Sequence, residues 1–156
     1  MYLVDTNVWL ESILDQERAE EARSFMRRVE GRLLAITEFS IYSVGVILSR
    51  LKKREACSDF LMDTVEDTGL LRIRLDTQDL LRALEVCERF RLDFDDAYQY
   101  VAAEKHDLTL VSFDADFDRT ERGRQTPADI LGEPPVVRDR QPSRSARPRR
   151  KRRAAN

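Results

Sequence analysis

Four acidic residues stand where a chain of this kind could do chemistry. Asp5 in YLVDTN, Glu38 in AITEFS, Asp96 in LDFDDAYQYVAA and Asp114 in TLVSFDADF each follow or abut a short apolar run that reads as a strand, or open a helix. In an open sheet of parallel strands, ligands sit in the crevice beyond the carboxyl ends of the strands, so acids at those ends converge although they are far apart in sequence. Converged carboxylates suit a hard divalent cation. Mg²⁺ takes oxygen ligands, commonly one or two carboxylates, and leaves its remaining positions to water and substrate phosphate. The expected chemistry is therefore metal-assisted and acts on a phosphoryl substrate, with Asp5, Glu38, Asp96 and Asp114 as catalytic candidates and Asp5, Asp96, Asp114 and Asp116 as metal ligands. Thr6, Asn7 and Ser112 are candidates for orienting those carboxylates by hydrogen bonds. His106 is the only histidine, which argues against a nuclease built on a pair of histidines.

Each acid also has a purely structural reading. Asp5 can cap the helix after it, Asp114 can cap the short turn after it, and Glu38 and Asp96 are favoured in a first helical turn by the macrodipole alone. One acid would satisfy the end of the Asp96 helix, yet Asp93, Asp95 and Asp96 all crowd it. That excess favours a cation.

The elements that must position these residues alternate. Periodicity and turn signals predict a strand over Met1–Val4, helices over Val8–Leu14 and Arg18–Val29, a second strand over Leu33–Ile36, and a helix capped by Thr37 running to about Lys53. A helix over Ala56–Val65 is broken by Gly69 and followed by a strand over Leu71–Leu75. Thr77 is expected to cap a helix to Arg89, and helix Asp96–Lys105, strand Thr109–Ser112 and a last helical stretch over Pro127–Leu131 complete the pattern. Alternating strands and helices imply an α/β three-layer sandwich, with a mostly parallel central sheet flanked by helices.

At 156 residues and 42% apolar composition, the chain is long enough for one domain with a proper core. No apolar run approaches the length that spans a bilayer and no export leader is visible, so a cytoplasmic location without membrane attachment is expected. Cys57 and Cys87 have no metal or redox spacing. The near-neutral net charge hides a sharp division: residues 138–156 carry nine Arg or Lys and one acid, whereas residues 1–137 carry 18 basic and 28 acidic residues. We expect a domain over residues 1–135 and an Arg-rich, disordered tail over 136–156. Within the tail, Arg147, Arg149, Arg150, Lys151, Arg152 and Arg153 are candidate contacts to nucleic-acid phosphates.

The opening MYLVDTNVWL, the central DDAYQYVAAEKHDLTLVSFDADF and the overall length resemble the PIN-domain family of the bacterial toxin-antitoxin type, over roughly Met1 to Leu131. Three linked motifs carry the resemblance: Asp5-Thr6-Asn7, Asp96-Ala97 and Ser112-Phe113-Asp114. It implies a Mg²⁺- or Mn²⁺-dependent endoribonuclease acting on RNA, a homodimer, and an inhibitory antitoxin as partner. One position departs from the family pattern, because its second acid belongs inside the helix after the second strand, where this chain has Ser43. Glu38 lies five residues earlier, about 7.5 Å of rise and about 140° of turn away on a helix. A PIN-like module that binds RNA or protein without cutting is the alternative, and a phosphoacceptor receiver domain is a more distant one.

Overall fold

The computed structural model describes residues 1–65 and 69–134. The basic tail, with Arg147, Arg149, Arg150, Lys151, Arg152 and Arg153, lies outside the described residues. Four short strands form the sheet: β1 (Tyr2–Val4), β2 (Leu34–Thr37), β3 (Leu71–Ile73) and β4 (Thr109–Val111). They pair in the order β3-β2-β1-β4, and every pair is parallel. From β1 the chain adds β2 and β3 on one side and then crosses back to place β4 on the other. The carboxyl ends of β1 and β4 therefore flank the point where strand order reverses, and a crevice opens there. A receiver domain follows the order 2-1-3-4-5, which this sheet does not share.

Side chains alternate across the strands and are buried on both faces. Leu3, Ala35, Ile73 and Leu110 face α5 (Thr77–Phe90) and α6 (Phe94–His106), where Val86, Tyr100 and Val101 complete the packing. Val4, Leu34 and Val111 face the opposite way, toward α1 (Thr6–Leu14) and α2 (Ala19–Arg28), with Phe25 buried between them. Ile36 continues that second face under α3 (Glu38–Arg50) and α4 (Arg54–Val65), meeting Val44, Leu48 and Phe60. A short α7 (Pro127–Leu131) packs on α2. The exposed edge of β4 is covered by Gln125, whose N–H donates to Leu110 O at 2.9 Å and whose carbonyl accepts from Ser112 N at 3.1 Å.

Several element boundaries differ from the sequence reading, β3 for example ending at Ile73 rather than Leu75 and α1 starting at Thr6 rather than Val8, and three of the differences have a clear local cause. The helix after Thr37 ends at Arg50, because Lys52 takes a left-handed φ of 57° while Lys52 N and Lys53 N return to Ser49 O and Leu48 O. This closure usually carries glycine, so a lysine there conceals the stop. Asp76, not Thr77, caps α5, in a reciprocal capping box with Asp79. Asp93 is the N-cap of α6, so Asp96 is the third helical residue rather than the first. Among the described residues no helix is long and apolar enough to cross a membrane.

One buried charge fastens the α7 end of the domain. Glu21 is 3% exposed, yet its carboxylate receives Arg18 Nε at 3.0 Å, Arg18 Nη2 at 2.7 Å and the backbone N–H of Ala128 at 3.1 Å. Removing one partner of such a pair leaves the others desolvated and unmatched, which costs far more than the pair gains in total. Glu21→Ala is expected to lower unfolding stability by about 2–4 kcal/mol, and Glu21→Gln, which still accepts from Ala128, by less. Urea denaturation midpoints check this; equal losses for the two variants would show that the hydrogen bond from Ala128, which glutamine keeps, contributes nothing.

Candidate active site

Asp5 is the residue immediately after β1, and its N–H extends the ladder one step by donating to Val111 O at 3.0 Å. It also caps α1. Its Oδ1 accepts from Thr6 N at 2.6 Å, and its Oδ2 accepts from Asn7 Nδ2 at 2.8 Å and Ser112 Oγ at 2.7 Å. Asn7 is held in turn, with Oδ1 accepting from Phe113 N at 3.2 Å. Three donors thus fix a carboxylate that is only 4% exposed, and two of them come from opposite sides of the β1/β4 switch point. The Thr6 hydroxyl points elsewhere, to Ser40 Oγ at 2.9 Å.

Asp96 comes to the same place in the first turn of α6, and Asp114 through the loop after β4. Asp114 Oδ1 accepts from Asp116 N at 2.8 Å, capping a 3₁₀ turn over Ala115–Arg119. The three aspartates line one cleft of about 520 Å³. Asp95, Ser43 and Gln99 line it too, and Leu10, Phe39, Ile47 and Phe94 supply an apolar side. Phe39 and Phe94 meet edge-on with ring centroids 6.5 Å apart. The sequence reading did not single out Gln99, Phe39 or Phe94; the one available signal was the position of Gln99 a single helical turn after Asp96.

Two candidates are not brought there. Glu38 does not line the cleft and instead faces Arg74, Nε to Oε2 at 3.8 Å. As the first residue of α3 it lies five residues before Ser43, and the helical twist over that interval directs the two side chains apart. Asp116 also stays out of the lining and pairs with Arg119 at 3.0 Å. Tyr100, on the same helix as Asp96, is 1% exposed and packs against Phe90 in the core, so it offers no face to the cleft.

No Lys, Arg or His lines the cleft, and Asp5, Asp95, Asp96 and Asp114 make no ion pair among the described residues. The consequence is electrostatic. Burial first, then the charges of Asp5, Asp95, Asp114 and Asp93, pushes the Asp96 carboxyl up to about 7. Burial likewise raises Asp5 to about 6 against the lowering effect of the Ser112 and Thr6 hydrogen bonds. A divalent cation would remove this repulsion, and an all-oxygen donor set is the kind Mg²⁺ and Mn²⁺ accept. Asp5, Asp96 and Asp114 fit such an ion in charge and donor type. As placed, no three His, Cys, Asp or Glu side chains among the described residues close into a chelate, so an ion would have to draw them together.

The raised values have a signed effect on stability. Between about pH 4 and pH 7 the folded protein holds protons on these carboxyls that the unfolded chain has released, so their contribution falls as pH rises through that window and is flat above it. Asp76 and Asp129, whose carboxyls are lowered chiefly by backbone hydrogen bonds, act in the opposite sense. Comparing parent with Asp96→Asn isolates the site. In metal-free buffer at pH 8 the variant should be more stable by about 1–2 kcal/mol, a figure discounted for partial solvent exposure, with the gain gone at pH 4. Asp5→Asn should show little gain, because the amide would place a donor against the donors that now hold Asp5. Urea melts at the two pH values decide it; no advantage for Asp96→Asn at pH 8 would mean that the carboxylates do not repel.

A family model described as PIN domain matches residues 2–123. Among solved structures, the chain is similar to VapC20 from Mycobacterium tuberculosis, a sarcin-ricin loop cleaving toxin, with a TM-score of 0.70 and 17% identity over 81% of this chain and 100% of that one. A chain of a toxin-antitoxin complex from Klebsiella pneumoniae gives a TM-score of 0.65 and 22% identity, covering 81% and 98%. VapBC2 from Rickettsia felis, bound to a DNA fragment from its promoter, gives 0.62 and 18%, covering 79% and 95%. No curated protein sequence matches the chain. The matched segment runs from β1 through α6 to the loop after β4 and contains every aspartate of the cleft: the chain belongs to the PIN domain family.

Proposed function

We propose that this protein is a Mg²⁺- or Mn²⁺-dependent endoribonuclease that hydrolyses RNA phosphodiesters, and that it is the toxin of a toxin-antitoxin pair. The observation that carries the reading is the meeting of Asp5, Asp96 and Asp114 in one cleft at the β1/β4 switch point, where no basic side chain among the described residues lines the cleft. The three aspartates would hold the ion. Bound there, it supplies Lewis acidity, lowering the pKa of a water and countering charge on the phosphoryl oxygens. The chain's own part is placement. Asn7 and Ser112 fix the Asp5 carboxylate from two sides, and Phe39 and Phe94 offer flat apolar surface beside the acids for an unstacked base. The toxin reading draws on the similar structures, which are toxins and toxin-antitoxin complexes. An antitoxin and a second copy of the chain are the proposed partners, and exposed Tyr42 and Val46 on α3 and Leu81 and Leu84 on α5 leave apolar surface for them.

A second reading has one observation in its favour. Ser43 lines the cleft where the family pattern calls for an acid, and Glu38 is turned toward Arg74. A PIN module that binds RNA without cutting it would tolerate both.

Cleavage of a generic RNA with and without Mg²⁺ or Mn²⁺ separates the two. Under the nuclease reading, Asp5→Asn, Asp96→Asn and Asp114→Asn each reduce metal-dependent cleavage by at least about a hundredfold, while Glu38→Gln cleaves like the parent. Ser43→Glu should bind Mn²⁺ more tightly by calorimetry, since it adds a carboxylate to the cleft. Full cleavage by Asp96→Asn at saturating Mg²⁺ would remove the assigned site, and absence of any metal-dependent cleavage by the parent would favour the binding module.

A further inference from the structure

Gln99 follows Asp96 by one turn of α6, and the i, i+3 spacing sets both on one face of the helix. It is 1% exposed and lines the same cleft as Asp5, Asp96 and Asp114. Its Nε2 donates to Ser40 Oγ at 2.6 Å and to Thr37 Oγ1 at 3.2 Å. Those hydroxyls are themselves linked, Thr37 Oγ1 to Ser40 Oγ at 3.0 Å and Thr6 Oγ1 to Ser40 Oγ at 2.9 Å, while Thr37 Oγ1 also accepts Ser40 N at 3.0 Å. Both amide protons are therefore used. Rotating the amide by half a turn would turn its two protons toward the position of Oε1, where no partner lies among the described residues, so the orientation shown keeps more hydrogen bonds.

The other amide atom is left over. Gln99 Oε1 is buried and has no hydrogen-bond partner among the described residues. A buried carbonyl oxygen loses its hydration without return unless a partner arrives, and such groups in folded proteins point to a water or an ion. The cleft also holds the carboxylates of Asp5, Asp95, Asp96 and Asp114, which when ionised accept as the carbonyl does, while Thr6 Oγ1 and Asn7 Nδ2, donors that also line it, are bonded to Ser40 and Asp5. Acceptors gathered in one place are reconciled by a cation, and hard divalent cations take Gln carbonyl oxygens together with carboxylates.

We propose that Gln99 Oε1 is an oxygen ligand of the divalent cation held by the aspartates, so that this chain completes its site with a neutral amide oxygen from α6. The inference rests on the metal-dependent reading above. It explains why an otherwise apolar stretch of α6 buries a glutamine, and why the hydroxyls of Thr37 and Ser40 hold its amide nitrogen, with Thr6 bound to Ser40 behind them. An amide adds a ligand without adding charge, and the site keeps its ion with less mutual repulsion than a further carboxylate would bring.

Calorimetry on the full chain tests it, using MnCl₂ and CdCl₂ as probes. Gln99→Met keeps the volume and replaces a hard oxygen by a soft thioether. It should weaken Mn²⁺ binding by about tenfold or more and raise the ratio of Cd²⁺ to Mn²⁺ affinity, a change that a merely structural role would not produce. Unchanged Mn²⁺ affinity, or a loss with the ratio unaltered, overturns the inference. If Gln99→Met does not fold, Gln99→Glu decides: tighter Mn²⁺ binding supports a ligand at this position, and equal or weaker binding overturns it. Failure of the parent chain to bind Mn²⁺ at all defeats the metal-dependent reading itself, an outcome distinct from a parent that binds and a Gln99 variant that binds equally well.

Discussion

Unbalanced negative charge at the β1/β4 switch point is the constraint on which the rest of the structure depends. Four aspartates border one cleft, no basic side chain among the described residues lines it, and the cost is visible in the raised Asp5 and Asp96 carboxyls. A fold can keep such a cost only where the surroundings leave the groups no alternative position. Here they are fixed by backbone: Asp5 by the β1/β4 ladder, Asp96 by the first turn of α6, Asp114 by the cap of its own turn. The macrodipole of α6 partly offsets the charge at its end. It does not remove the repulsion.

Two polar networks brace this arrangement from opposite sides. On the α3 and α6 side, Thr6, Thr37, Ser40 and Gln99 tie three helices and the end of β2 together through hydroxyls and one amide, all beneath the cleft. On the α2 and α7 side, Glu21 holds Arg18, whose guanidinium lies 4.1 Å from the centre of the Phe113 ring, and the Phe113 N–H reaches Asn7, which holds Asp5. Buried networks of this kind confer stability only when every member is matched. The second is complete, while the first leaves one oxygen without a partner.

Charge also divides the chain as a whole. The body is acidic and the last nineteen residues are strongly basic. An acidic cleft repels any polyanion over about a Debye length, roughly 8 Å at physiological salt, so approach of a polyanion to these aspartates requires compensating cations. A bound metal and a polycationic segment both supply that in physical principle.

Much of the fold was legible in the sequence because short β-rich runs alternating with 3.6-periodic segments admit few arrangements other than a parallel sheet with helices on both faces. The DTN, DDA and SFD segments marked Asp5, Asp96 and Asp114 because each combines an acid with a strand end or helix start, and such signals are local. What lay beyond local signals was decided by tertiary structure. Whether Glu38 or Ser43 faces the cleft depends on the rotation of α3 about its axis, which its packing through Val44 and Leu48 against Ile36 and Phe60 sets. The end of α3 was hidden because Lys52 takes a conformation that glycine normally announces. For Gln99 the only local sign was its place one helical turn after Asp96; the crossing of α6 over α3 brings its amide to Thr37 and Ser40, 62 and 59 residues away. Sequence by itself determined which residue types were available at strand ends and helix starts, because those depend on neighbours a few positions away; the tertiary structure alone decided which of them share a cleft, because that depends on how whole elements are rotated and packed.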